Sequence, residues 1–278
     1  MSIKIENTQV FGWEAAIRGA RNPMNSWEKS DSAFLDRYSI KNGLLKKIYR
    51  NILKKIFRKD DTGYIGDGDE HEIRALDSFS IGPNDYKLLM NLCNGGTEES
   101  KWRRMVHVQM DVTAPLYWWK EFETYKIGTV SNSCSTMHKI QAKEFTLEDF
   151  SCEHLGHEQY DEDIINGAWD NTIARTGFGG ETGHITYPLD ILEMTITCLN
   201  AEREKFLETG DKKYWWQMIQ LLPSSYNQRR TIDLNYEVLA AQYRQRKDHK
   251  LDEWREYCEW IKSLPYSELI TMEETNGT

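Results

Sequence analysis

The sequence predicts a mixed α/β (α+β) fold, and three observations carry that expectation. Met105 to Val112 alternates apolar and polar residues, the pattern of a half-buried strand. Apolar residues recur at helical spacing on both sides of it, at 86–93 and again between 187 and 222. Proline and glycine at Asn22-Pro23, Gly95-Gly96, Ala114-Pro115 and Leu222-Pro223 cut the chain into pieces of element length.

Composition narrows the function classes. The 278 residues carry 35 Lys+Arg against 44 Asp+Glu, a net charge of −9, with 39% hydrophobic and 28% charged residues. That length can bury one large core, and the mixture is not that of a disordered chain. No apolar run approaches the roughly 20 residues that cross a bilayer. The opening MSIKIENTQVFGWEAA has neither the apolar stretch nor the small-residue cleavage site of a signal peptide. An acidic chain is a poor match for duplex nucleic acid, where phosphate neutralisation dominates, but a local basic pocket can still hold one nucleotide. Five scattered cysteines with no C-x-x-C pair point to a reducing, cytoplasmic setting without a disulfide framework. The ten tryptophans include the pairs Trp118-Trp119 and Trp215-Trp216, read as core or interface mass in preference to a stacking platform.

Each element follows from its residues. Residues 1–40 read as a short strand, a helix opening at Ala15-Ala16-Ile17-Arg18, and a polar loop around Asn22-Pro23. In 41–59, Leu44, Leu45, Ile48, Tyr49, Ile52, Leu53, Ile56 and Phe57 form one helical face and Lys or Arg fill the other, with no acid. Such a basic amphipathic helix packs on its own protein, or docks on a partner or an anionic membrane. With the acidic loop at 60–70 it reads as an insertion over about 41–80. Asn84-Asp85 is expected to cap a helix through Tyr86, Leu89 and Cys93. Pro115 is expected in the first turn of a helix through Leu116, Trp119 and Phe122. Residues 129–136 read as a hydroxyl-rich loop, 187–208 and 212–222 as two helices, and 229–246 and 251–263 as a closing pair.

Three stretches could carry chemistry. On a helix over 229–246, Asn235 and Arg246 return to within about 20° of one face, roughly 16 Å apart, and Gln242 joins them. Such a face suits a flat anionic ligand, because guanidinium meets phosphate in a bidentate fork; the competing reading is a solvated stripe. The loop 129–136 offers backbone N–H groups and hydroxyls to an anion, and within it Cys134 is either a nucleophile or an inert thiol. Cys152-Glu153-His154 with His157 could donate to zinc, but the ligands are crowded and no second pair sits at finger spacing, so a surface loop without metal is the preferred reading. No phosphate loop, dinucleotide fingerprint, nucleophile elbow or His-Glu-x-x-His helix occurs.

The order of these pieces resembles the flavin-dependent thymidylate synthases. In that family a strand ends in Ala-Pro, a helix follows, then an R-H-R-x-x-S-x-N-E-x-S-x-R-Y motif, and later Leu-Pro precedes a helix carrying Arg, Asn and Arg. Ala114-Pro115-Leu116-Tyr117 looks like the first signpost, residues 124–137 occupy the motif's place, and Leu222-Pro223, Arg229, Asn235 and Arg246 sit where the closing helix has them. The motif is much substituted: Lys126 keeps a charge, Thr129 a hydroxyl, and Cys134 stands for a Ser, while Thr124, Tyr125, Asn132 and Thr136 replace family residues and Glu237 stands where the family presents another Arg. This pattern is similar to divergent phage and Firmicutes versions.

The resemblance implies a single domain over 1–278, with the insertion at about 41–80 and an added segment at about 140–210. It implies a thymidylate-synthase-complementing-protein-like fold, a central mostly antiparallel sheet with flanking helices, assembled as a homotetramer. It implies reductive methylation of a pyrimidine deoxynucleotide, dUMP or a relative, with FAD, and with NADPH and methylenetetrahydrofolate as co-substrates. Arg246 and Cys134 would be catalytic. Arg229, Arg246, Ser133, Cys134 and Glu121 would meet the substrate, and Lys126, Thr129, Asn235 and Gln242 the flavin. The alternative is an oligomeric nucleotide- or partner-binding protein that keeps the fold without turnover.

Overall fold

The computed structural model describes residues 3–34, 79–156 and 188–272. The basic helix read at 41–59, His157 of the candidate zinc set, and the middle of the added 140–210 segment lie outside the described residues. The chain divides into a sheet unit, residues 2–114, 118–133 and 229–278, and a helical unit, residues 115–117 and 134–228.

The sheet unit is built on strands β1 (Lys4–Phe11), β4 (His107–Pro115), β5 (Val130–Ser133) and β6 (Asn227–Asn235), in the order β1-β4-β6-β5. β1 runs antiparallel to β4 and β5 antiparallel to β6. The alternation read in the sequence decides the faces. Val108, Met110, Val112 and Ala114 of β4, with Ile232 and Leu234 of β6, are buried. His107, Gln109 and Asp111, with Arg229, Thr231 and Asp233, are half-buried or exposed. Strands β2 (Ala33–Phe34) and β3 (Phe79–Ser80) make a separate two-stranded pair.

Helix α1 (Trp13–Arg21) follows β1 through Gly12, whose φ of 98° places a notional Cβ 2.1 Å from the Met105 carbonyl oxygen, so only glycine fits there. Helix α2 (Pro83–Asn94) takes Gly82 as its N-cap. The expected cap residue Asp85 is instead fully buried, and its carboxylate faces Arg21 Nε at 2.6 Å. A carboxylate with a cationic partner on another helix is stabilised more by that charge than by orphan N–H groups of its own first turn.

Pro115 closes β4 instead of opening a helix, and α3 spans Leu116–Phe122. Part of the predicted loop 129–136 is the strand β5. The largest revision concerns 229–246. Residues up to Asn235 form β6, and only Tyr236–Arg246 is helix, α7. Ile232 and Leu234 point inward two residues apart while Arg229, Thr231 and Asp233 point out, a period of two that a wheel drawn from Asn235 onward does not register. Arg229 therefore does not share a helix with Asn235 and Arg246. Helices α8 (Asp252–Lys262) and α9 (Glu268–Thr271) complete the unit.

Its core is aromatic. Trp118, Trp119, Trp254 and Tyr257 are essentially inaccessible, and Trp118 lies 4.8 Å from both Trp119 and Trp254, ring to ring. This first tryptophan pair is core mass, as read.

In the helical unit, α4 (Thr136–Lys139) starts at Ser135, whose hydroxyl accepts from His138 N. Helices α5 (Pro188–Thr209) and α6 (Lys212–Leu221) match the two predicted there, α6 being capped by Asp211. Leu192, Ile196, Leu199 and Met218 pack with Ile140, Phe145 and Phe150 into this unit's own core.

Candidate functional site

Three guanidinium groups of the sheet unit, those of Arg229, Arg230 and Arg246, are each met by carboxylate. Arg246, at the end of α7, lies 4.7 Å above the Trp254 ring and donates to Glu121 Oε2 at 2.7 Å and to Tyr125 Oη at 3.0 Å. Glu121 Oε2 also accepts from Trp254 Nε1 at 3.0 Å and lies 3.4 Å from His249 Nε2. Two residues on, Glu123 Oε1 accepts from Arg230 Nη1 at 2.7 Å, and Arg230 lies 4.3 Å above the Trp119 ring. The end of α3 thus holds two Arg–aromatic–carboxylate clamps side by side in sequence. Stacking on a π-face and pairing with a carboxylate both favour arginine over lysine at such positions.

Arg229 occupies the opposite, outward face of β6. Its Nη2 donates to Asp111 Oδ2 at 2.8 Å and its Nη1 lies 3.8 Å from Glu6. Asp111 also accepts from Thr231 Oγ1 at 2.6 Å and from Asn7 Nδ2 at 2.8 Å, Asn7 standing at φ 55° in the β1 bulge. The bonds from Thr231, Asn7 and Arg229 hold the Asp111 carboxyl down to about 2. On the same strand Asp233 bonds His107 Nδ1 at 3.0 Å and accepts from Gln109 Nε2 at 3.1 Å, and the imidazole stacks on Phe11.

Register sets the remaining candidates. Ser133 lies opposite Arg230 and Asn132 opposite Thr231. The turn before β5 closes with Thr129 N donating to Lys126 O, and Gly128 takes φ 79°. A Cβ on Gly128 would stand 3.0 Å from Asn235 Nδ2 and 3.1 Å from Val238 Cγ2, so this turn lies directly on the start of α7. Asn235 is the α7 N-cap, its Oδ1 accepting from Glu237 N and Val238 N, both at 3.1 Å. Thr129 Oγ1 is buried without a hydrogen-bond partner, and Lys126 is exposed.

The structure thus brings Lys126, Thr129 and Asn235 to one place, and Glu121 and Arg246 to another. It does not bring Gln242 to a ligand-facing surface. Gln242 is fully buried and its Oε1 accepts from Tyr257 Oη at 2.9 Å, while burial pushes the Tyr257 phenol well above its ordinary value. The wheel placed Gln242 and Arg246 together, but the turn at Gln242 faces the aromatic core. Cys134 belongs to the helical unit, where it is exposed and its carbonyl oxygen accepts from Gln228 Nε2 at 2.8 Å.

Sequence reasoning missed Arg230, Glu123, Asp111 and Trp254. Asp111 was accessible through the β4 alternation, which sets it on the outward face, and Arg230 only had 227–235 been read as a strand. Nothing local marks Trp254 or Glu123, because what selects them is contact with residues more than a hundred positions away.

No family model matches the sequence, and no curated protein matches it at a significant level. The comparison of structures is informative: this α/β arrangement of a four-stranded sheet and helices is the fold of the flavin-dependent thymidylate synthases. A crystal structure of thymidylate synthase X from Helicobacter pylori with FAD and dUMP superposes with a TM-score of 0.53 at 12% identity, covering 97% of this chain and 98% of that one. A second, the flavin-dependent thymidylate synthase of Helicobacter pylori complexed with FAD and dUMP, gives a TM-score of 0.54 at 13% identity over 98% and 99%. Among the described residues no helix is long and apolar enough to cross a membrane.

Proposed function

We propose that this protein is a flavin-dependent methyltransferase acting on a pyrimidine deoxynucleotide or a close relative of one. The observation that supports the reading is the shared fold over nearly the whole length of enzymes crystallised with FAD and dUMP. The turn carrying Lys126 and Thr129 fits a flavin, since the Thr129 hydroxyl is buried and unspent. An unsatisfied buried hydroxyl costs about 1–3 kcal/mol, which a ligand acceptor would recover.

When bound, FAD reduced by NADPH supplies the hydride that completes a methyl group at carbon 5 of the pyrimidine from the methylene unit of methylenetetrahydrofolate. The chain's own residues bind and orient. Thr129 and Lys126 donate to the flavin side, and Asn235, beside the turn at Gly128, caps α7 with its Oδ1. Arg246, held flat on Trp254, and Ser133, opposite Arg230, face the substrate. The assembly is a homotetramer working in the cytoplasm, and the chain is a divergent member like those of phages and Firmicutes.

A second reading, a nucleotide- or partner-binding protein without turnover, is favoured by the carboxylates already seated on Arg229, Arg230 and Arg246. The absorbance spectrum of the purified protein separates the two. Flavin bands, or flavin uptake with a nucleotide-dependent rise in melting temperature, support the enzyme. A colourless protein stabilised by nucleotide and indifferent to FAD supports the binding protein.

A further inference from the structure

A phosphate monoester needs guanidinium groups whose charge is not already matched. In the sheet unit, Arg229 faces Asp111 and Glu6, Arg230 faces Glu123, and Arg246 faces Glu121, so three guanidinium groups meet four carboxylates. The Arg246 and Arg230 side chains are only 18% and 12% exposed, and each has its π-face covered by a tryptophan. Little of either cation is left open to approach. A dianion arriving at Arg246 must displace Glu121 or lie beside it, and like charges at such separations repel strongly in a partly desolvated site. Glu121 is itself held by a donor besides Arg246, the indole N–H of Trp254 at 3.0 Å, and the His249 ring lies 3.4 Å away, so it does not swing away without loss.

From this we infer that Glu121, seconded by Glu123, takes the place of a ligand anion and sets specificity for an uncharged pyrimidine nucleoside over its monophosphate. The inference deepens the reading above and rests on it. Glu121 is a specificity-determining residue in this scheme: it makes the site intolerant of a second negative charge. The trade is the ordinary one of selectivity by an unfavourable element built against the competitor.

The test is calorimetric titration of the full-length, FAD-supplemented protein with 2′-deoxyuridine and with dUMP. The wild type is expected to bind deoxyuridine at least as tightly as dUMP. Glu121→Gln, which keeps the shape of the side chain and removes its charge, is expected to tighten dUMP tenfold or more while deoxyuridine changes less than twofold. Glu123→Gln, at a side chain 55% exposed and so without risk to folding, is expected to move dUMP in the same direction by a smaller factor. A wild type that prefers dUMP tenfold, or variants whose preference is that of the wild type, overturns the inference and leaves the methyltransferase reading standing. Binding of neither ligand by wild type or variants refutes the pyrimidine reading itself.

Discussion

Asp85 is the residue whose loss the structure prices most directly. Its carboxylate is fully buried and accepts from Arg21 Nε at 2.6 Å, Ser30 Oγ at 2.7 Å, Ser32 Oγ at 2.6 Å, and the backbone N–H groups of Asp31 and Ser32, both at 3.1 Å. One side chain thereby ties α1, the 30–32 loop and α2 together. Asp85→Ala leaves the Arg21 guanidinium buried without its counter-charge, a break that costs about 3–5 kcal/mol. Arg21 retains the carbonyls of Ser26 at 3.2 Å and Lys29 at 3.0 Å, which places the expectation near the lower end, about 3 kcal/mol. With a urea m-value of about 2 kcal/mol/M, the unfolding midpoint of the sheet unit should fall by about 1.5 M. Tryptophan fluorescence reports it, because Trp118 and Trp254 are buried in that unit. The double variant Arg21→Ala/Asp85→Ala should lose less than the sum of the single losses, by at least about 1 kcal/mol. A loss under about 1 kcal/mol for Asp85→Ala, or strict additivity of the pair, refutes the reasoning.

Other outcomes follow from the same geometry. Burial pushes the Asp85 carboxyl up, but the bonds from Ser32, Ser30 and Arg21 and the Arg21 charge outweigh it and leave it below the usual value, and Asp111 sits at about 2. Both groups are lowered on folding, so their stabilisation is complete above the unfolded value of about 4 and disappears as pH falls toward the folded values. Melting temperatures measured from pH 6 to pH 2 should drop below about pH 4, and Asp111→Asn should flatten part of that drop. Gly128→Ala forces a Cβ onto φ 79° and against Asn235 Nδ2, and should cost more than about 1 kcal/mol in thermal unfolding while weakening flavin uptake. Trp118→Ala, at a fully buried ring touching Trp119, Phe122, Trp254 and Tyr257, should cost about 3–5 kcal/mol by denaturant titration. Thr129→Val, which removes the unspent hydroxyl, should leave stability unchanged or slightly raised and reduce FAD affinity, read by flavin fluorescence.

Elements that follow local pattern were legible in the sequence: the β4 alternation, the α5–α6 helices, the helix at 83–94 and the general α/β character. Each is specified by residues a few positions apart, so a period of two or of 3.6 is enough to read it. The strand at 227–235 was not legible in that way. Gln228 and Arg230 stand at its inward positions, and polar residues there mask the alternation until Gln228 is seen bonding the Cys134 carbonyl and Arg230 lying on Trp119.

What the sequence by itself determined, then, is the strand at 105–112 and the helices at 83–94, 188–209 and 212–221, and which segments carry hydroxyl and guanidinium groups. Its charge count shows an acidic chain but not which cations are spent. Only the tertiary structure decided that Arg229, Arg230 and Arg246 each face a carboxylate, that Gln242 is turned into the core, and that Asp85 neutralises Arg21 instead of capping its helix. The physical reason is that Coulombic pairing and burial depend on distance in space, and the ion pairs concerned are separated by at least 64 residues along the chain.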